Sequence, residues 1–144
     1  MPTFHGQCHC GNIEIAFATA LAPEQFRLRA CSCSFCRRHG ARTTSDPSGR
    51  VEVIVHYSRK LVRYRFGLKT ADFLICRRCG IYVCAMIAID GGSYTTVNVN
   101  TFDFAASLGQ EAMSASYEGE TPSQRVLRRR AHWTPATITV AGVA

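Results

Sequence analysis

The chain has 144 residues, of which 47% are hydrophobic and 19% charged, proportions that exclude intrinsic disorder and allow one domain over residues 1–144 to bury about two-thirds of its unfolded surface. No stretch approaches the roughly 18 uninterrupted apolar residues of a membrane span, and Met1 to Gly11 lacks the regions of a secretory signal, so a soluble cytoplasmic protein without a membrane partner is expected. The formal net charge of +7 suits anionic partners; two zinc–thiolate centres of net −2 and −1 would bring it to about +4, which argues only weakly for nucleic acid.

Eight cysteines occur, at Cys8, Cys10, Cys31, Cys33, Cys36, Cys76, Cys79 and Cys84, and all but Cys84 fall in three tight clusters. With nothing indicating export, metal binding is favoured over a disulfide framework.

Along the chain, Cys8-His9-Cys10-Gly11 comes first. One intervening residue would send the two side chains of a strand to opposite faces, so a shared ion needs a turn, which Gly11 eases. Alternation in Asn12 to Phe17 and in Phe26 to Ala30 marks two half-buried strands around a turn at Ala22-Pro23-Glu24. Cys31-Ser32-Cys33-Ser34-Phe35-Cys36 then places three thiolates within six residues, with a short helix expected over Cys33 to His39. Further strands are expected at Val51 to Val55, Leu61 to Phe66 and Phe73 to Ile75, after a turn at Asp46-Pro47-Ser48-Gly49. Cys76-Arg77-Arg78-Cys79-Gly80 is a C-x-x-C-G knuckle, whose glycine can take a left-handed conformation and aim amides at thiolates. Strands at Ile81 to Ile87 and Tyr94 to Val99 flank a turn at Asp90-Gly91-Gly92-Ser93. Short helices are expected over Phe104 to Leu108 and Ser123 to Arg130, the latter capped by Thr121 or Ser123. No repeat, linker or low-complexity tract interrupts a chain that reads as mainly β.

Ligand counting separates two kinds of site. The half-sites Cys8/Cys10 and Cys76/Cys79 supply four thiolates, the number that closes a tetrahedral zinc site. Cys31, Cys33 and Cys36 supply three, which leaves a position for water or a substrate atom, unless His9, His39 or Cys84 fills it and makes that site structural too. Cys84, in an apolar stretch, reads as a buried small hydrophobe.

The three motifs, Gly6-Gln7-Cys8-His9-Cys10-Gly11, Cys31-Ser32-Cys33-Ser34-Phe35-Cys36-Arg37-Arg38 and Cys76-Arg77-Arg78-Cys79-Gly80, together with Val97-Asn98-Val99-Asn100, resemble the glutathione-dependent formaldehyde-activating enzyme (centromere protein V/Gfa-like) family in order and spacing. The resemblance implies a zinc-binding β fold of the Mss-four-like type with short helices. It implies that Cys8, Cys10, Cys76 and Cys79 hold a structural zinc and that Cys31, Cys33 and Cys36 hold a second, more labile zinc that forms the catalytic site. It further implies a small-molecule thiol, glutathione or a related one, as substrate or ligand, and a protein of carbon–sulfur lyase type that acts on S-hydroxymethylglutathione, the adduct of glutathione and formaldehyde, or carries it without catalysis.

Arg37, Arg38 and His39 follow the third thiolate directly and are candidates for contacts to glutathione carboxylates, with ordinary surface charge as the alternative. The run Arg125, Arg128, Arg129 and Arg130 beside His132 and Trp133 reads as a solvated helix face, since no nucleic-acid motif accompanies it. Motifs for nucleotide, zincin and serine-hydrolase chemistry are absent from the sequence. The competing functions are a binding module with two structural zincs contacting a protein or nucleic acid, and a redox sensor built on Cys31, Cys33 and Cys36. The sequence leaves the oligomeric state open.

Overall fold

A computed structural model describes residues 1–142. The elements are β1 (Thr3–Gln7), β2 (Ile13–Ala18), β3 (Arg29–Cys31), α1 (Ser34–His39), β4 (Thr43–Thr44), β5 (Arg50–Tyr57), β6 (Leu61–Tyr64), β7 (Asp72–Cys76), β8 (Tyr82–Ile89), β9 (Gly92–Asn98), β10 (Met113–Ala115), α2 (Pro122–His132) and β11 (Thr134–Gly142), with short 3-10 turns between them. The fold is mainly β, as expected, with the strands joined in one branched sheet.

Alternation decides the inner face. In β2, Ile13, Ile15 and Phe17 are buried, and in β5 Val51, Val53 and Val55 are buried. The two strands pair antiparallel with Ile15 opposite Val53, so both apolar sets point into one core. The other edge of β5 carries β11 in parallel, with Ile138 opposite Val53. Phe4, Phe17, Phe26, Phe102 and Phe104 close this core in edge-on, tilted and stacked pairs, with Phe4 and Phe26 centroids 5.6 Å apart.

The sheet forks at β9. One side of β9 pairs with β8 from Gly92 to Val97, while the opposite side is shared, Ser93 to Thr95 by β11 and Val97 to Asn98 by β4. In β8, Tyr82 to Ile87 are all buried because the strand is covered on both faces. Ala85 and Ile87 meet Trp133 at the end of α2, while Cys84 joins the main core.

Some elements differ from the sequence reading. The expected strand Phe26 to Ala30 joins the sheet only from Arg29, although Phe26 and Leu28 are buried as alternation requires. Upstream, the carbonyl of Arg27 accepts from the Thr44 hydroxyl and that of Leu28 from the Met113 amide, leading into the parallel β3–β10 pair. Strand β9 stops at Asn98 because the Asn98 side chain accepts from the Asn100 amide and turns residues 99–101 into 3-10 geometry. The expected helix at Phe104 to Leu108 is a 3-10 turn over Asp103–Ser107. Thr121, rather than Ser123, caps α2: its hydroxyl accepts from the Gln124 amide while the Gln124 side chain returns to the Thr121 amide. Among the described residues no helix is long and apolar enough to cross a membrane.

Candidate metal centre

Two reverse turns build the four-sulfur cluster. Between β1 and β2 the Gly11 amide donates to the Cys8 carbonyl at 3.1 Å, and between β7 and β8 the Gly80 amide donates to the Cys76 carbonyl at 2.8 Å. Gly11 and Gly80 have φ of 84° and 81°, the left-handed region that both motifs require. The turns bring Cys8, Cys10, Cys76 and Cys79 together with every sulfur within 4.8 Å of the others. Cys8 and Cys10 sulfurs are 3.8 Å apart and those of Cys10 and Cys76 are 3.5 Å apart. A tetrahedral ion with zinc–sulfur bonds of about 2.3 Å sets its sulfurs about 3.8 Å from one another, so this set fits such an ion.

Electrostatics among the four thiols favour an uneven share of charge. Burial pushes the Cys8 thiol up to about 12, and burial also raises Cys76. Burial opposes ionisation of Cys79 as well, but hydrogen bonds with the Cys10 and Ile81 backbone and with the Cys76 and Cys8 thiols outweigh it and bring Cys79 down to about 6. The Cys8 sulfur accepts from the Ile13 amide at 3.3 Å. His9 lies exposed between Cys8 and Cys10 and belongs to neither cluster.

The second cluster gathers at the junction of β3 and α1. Cys31 ends the strand, Cys33 is the N-cap whose sulfur accepts from the Cys36 amide at 3.4 Å, and Cys36 lies in the first turn of the helix. Their sulfurs lie within 4.8 Å of one another, and among the described residues no fourth histidine, cysteine or carboxylate joins them. Hydrogen bonding from Cys36 outweighs burial and lowers Cys31 to about 5, assisted by Cys33 and by the charge of Arg128, while Cys36 is pushed up by the same bond and by burial. His39 instead packs on the Phe35 ring at 4.5 Å and against Tyr82. Cys84 is fully buried, and burial raises its thiol to about 12, as fits the small hydrophobe read from the sequence.

The three sulfurs open into a cavity of about 290 Å³. Phe66, Phe73, Tyr82 and Trp133 contribute apolar wall, and Arg29, Arg125, Arg128 and Arg129 contribute cations. Arg37 and Arg38 are not among its lining residues; they donate to the carbonyls of Ser32 and Ser34 on the exposed side of α1, whose last turn carries basic residues that suit its carbonyl end.

The arginines of α2 are the feature the sequence reading missed. A solvated face is contradicted at Arg129, which is only 7% exposed, and Arg125 and Arg128 turn their guanidinium groups onto Glu120 beside the cavity. The signal was present: Val126, Arg129 and Trp133 are spaced at three and four residues, which sets them on one helical stripe and carries an arginine inward with the apolar residues.

The chain is similar to a protein of Rhodobacter sphaeroides whose crystal structure was solved as a structural genomics target, with 35% identity, a TM-score of 0.55, and 77% of this chain and 99% of that chain covered. A family model described as glutathione-dependent formaldehyde-activating enzyme matches residues 3–118, which include all seven clustered cysteines. The protein thus belongs to the glutathione-dependent formaldehyde-activating enzyme family.

Proposed function

We propose that the protein is a zinc-dependent carbon–sulfur lyase-type enzyme that acts on S-hydroxymethylglutathione or on the formaldehyde adduct of a related small thiol. The observation that carries this reading is the contrast between the clusters: four sulfurs complete one ligand set, whereas three sulfurs face a cavity of ligand size. In this assignment Cys8, Cys10, Cys76 and Cys79 hold a structural zinc, and Cys31, Cys33 and Cys36 hold a labile one. When bound at the three sulfurs, zinc supplies a Lewis-acid centre with a position at which a thiol loses its proton more readily.

The chemistry balances without an oxidant. In the forward direction a sulfur lone pair forms the carbon–sulfur bond at the formaldehyde carbon, the carbonyl π pair moves to oxygen, and that oxygen takes up the proton released by the thiol. The lyase direction reverses each movement. Residues of the chain contribute position and enclosure: β3 and α1 fix the three cysteines, and the aromatic wall keeps the reacting end apolar. Tyr82 is neutral there because burial, with the nearby cysteines, raises its phenol well above its ordinary value. Arg37 and Arg38 balance the charge of the thiolates from the exposed side of α1, and the cytoplasm, where glutathione is reduced, is the compartment this chemistry calls for.

Exchange spectroscopy with ¹³C-formaldehyde and glutathione at equilibrium tests the reading. The zinc-loaded protein is expected to accelerate exchange between free formaldehyde and its adduct, and Cys33→Ser to abolish the acceleration. Exchange at the uncatalysed rate with the intact protein contradicts it.

A further inference from the structure

Four arginines line the cavity, and they are not equally satisfied. Arg125 and Arg128 share Glu120, with Nε-to-carboxylate distances of 3.2 and 2.8 Å, and the Arg128 guanidinium sits 3.5 Å over the Tyr117 ring. Glu120 is not itself part of the lining, where the exposed Glu118 contributes the carboxylate. Among the described residues neither Arg29 nor Arg129 forms an ion pair. Arg29 donates from Nη2 to the hydroxyls of Ser45 and Thr96. Arg129 donates from Nη1 to the Thr70 hydroxyl at 2.6 Å and lies 4.8 Å over the Trp133 ring, yet its Nε is buried without a hydrogen-bond partner among the described residues.

A guanidinium that is 7% exposed, with an unsatisfied donor and no carboxylate of its own, is costly unless an anion completes it. Burial, then repulsion from Arg128 and Arg125, lowers Arg129 to about 10, so it is still cationic at neutral pH. The same cavity holds the sulfurs of Cys31, Cys33 and Cys36. Both groups thus face the same enclosed space.

We propose that Arg129, with Arg128 and Arg29, forms an anion subsite that seats a carboxylate of the thiol ligand while its sulfur lies at Cys31, Cys33 and Cys36. This rests on the reading of that cluster as the reacting end. Residues Arg128 and Arg129 lie beyond the matched span 3–118, so α2 adds selection for carboxylate-bearing thiols to the cysteine motifs. The planar fork of arginine suits a carboxylate, and the aromatic wall of the same cavity suits the ligand's carbon chain.

Trp133 is the single tryptophan and lies in the cavity wall, so its fluorescence reports occupancy. Zinc-loaded protein is titrated with S-methylglutathione, which keeps the carboxylates but blocks the thiol, and with N-acetylcysteamine, a thiol without a carboxylate. S-methylglutathione is expected to bind, and Arg128→Gln and Arg129→Lys are each expected to weaken it about tenfold or more while leaving N-acetylcysteamine unchanged. Arg130→Gln, on the exposed side of the same helix, is expected to bind both as the parent does. Melting temperature establishes that each variant is folded, and Arg128→Gln answers the question should Arg129→Lys fail to fold. Unaltered S-methylglutathione binding in the folded variants overturns the subsite, and so does N-acetylcysteamine binding as tightly as glutathione. Displacement of S-methylglutathione by an equal concentration of sulfate overturns the assignment to the ligand's carboxylate. Arginine-dependent binding without accelerated formaldehyde exchange supports the subsite and removes the lyase reading; acceleration that is equal for glutathione and N-acetylcysteamine does the reverse.

Discussion

The sulfurs of Cys10 and Cys76, 66 positions apart in the sequence, lie 3.5 Å from each other. That contact ties the β1–β2 turn to the β7–β8 turn, and an ion held there fastens strands from both branches of the sheet. A structural zinc contributes on the order of 10 kcal/mol to folding in small domains. Cys76→Ser is therefore expected to lower the melting temperature steeply or prevent folding, and chelation of the parent protein to do the same. A variant that melts within a few degrees of the parent contradicts this role.

Cys33 should behave differently. It caps a helix of one and a half turns at the edge of the core, and its cluster lies beside rather than within the main apolar core. Cys33→Ser keeps a good N-cap and is expected to cost no more than about 1–2 kcal/mol while removing one metal per chain. Circular dichroism and elemental analysis check this together, and global unfolding of the variant argues against the division of labour.

Gly80 supplies a third test, because a methyl group there meets no atom within 4 Å, so only backbone conformation opposes it. With φ at 81°, Gly80→Ala is expected to cost about 1–2 kcal/mol and to weaken metal retention at Cys76 and Cys79. An unchanged melting curve would show that the knuckle does not need the left-handed residue.

Glu120 gives a pH signature. Hydrogen bonding from Arg128 outweighs the effect of burial and, with Arg125, holds this carboxyl below its ordinary value of 4.5. A depressed folded value contributes stability that is present above the unfolded value and lost as pH falls through the folded one. The parent is thus expected to exceed Glu120→Gln in stability near neutral pH, by under about 1 kcal/mol for this partly exposed pair, and the gap should close below about pH 4. A gap that widens on acidification contradicts the pairing.

Sequence spacing made the cysteine clusters legible because a turn containing glycine has few ways to arrange sulfurs two or three residues apart. Alternation likewise marked β2 and β5, where one face is buried and the other is not. Strand β11 went unassigned although Ala136, Ile138 and Val140 alternate: Pro135 near its start reads as a strand breaker, and its partners β5 and β9 are remote in sequence. Strand β1 carries Gly6 and little apolar alternation, so its place is set by pairing with β2. The cavity was hidden for a related reason. Arg29 comes from β3 and Arg129 from α2, and only the tertiary arrangement of these segments turns a basic run into a wall facing three cysteines.

Metal content per chain, measured before and after dialysis of the purified protein against reduced glutathione, tests the division between a closed and an open centre most directly. Two zinc ions are expected to fall to one, with Cys8, Cys10, Cys76 and Cys79 still protected from alkylation while Cys31, Cys33 and Cys36 become reactive. Two ions unmoved by glutathione, with all seven cysteines protected, would make both centres structural and contradict that division.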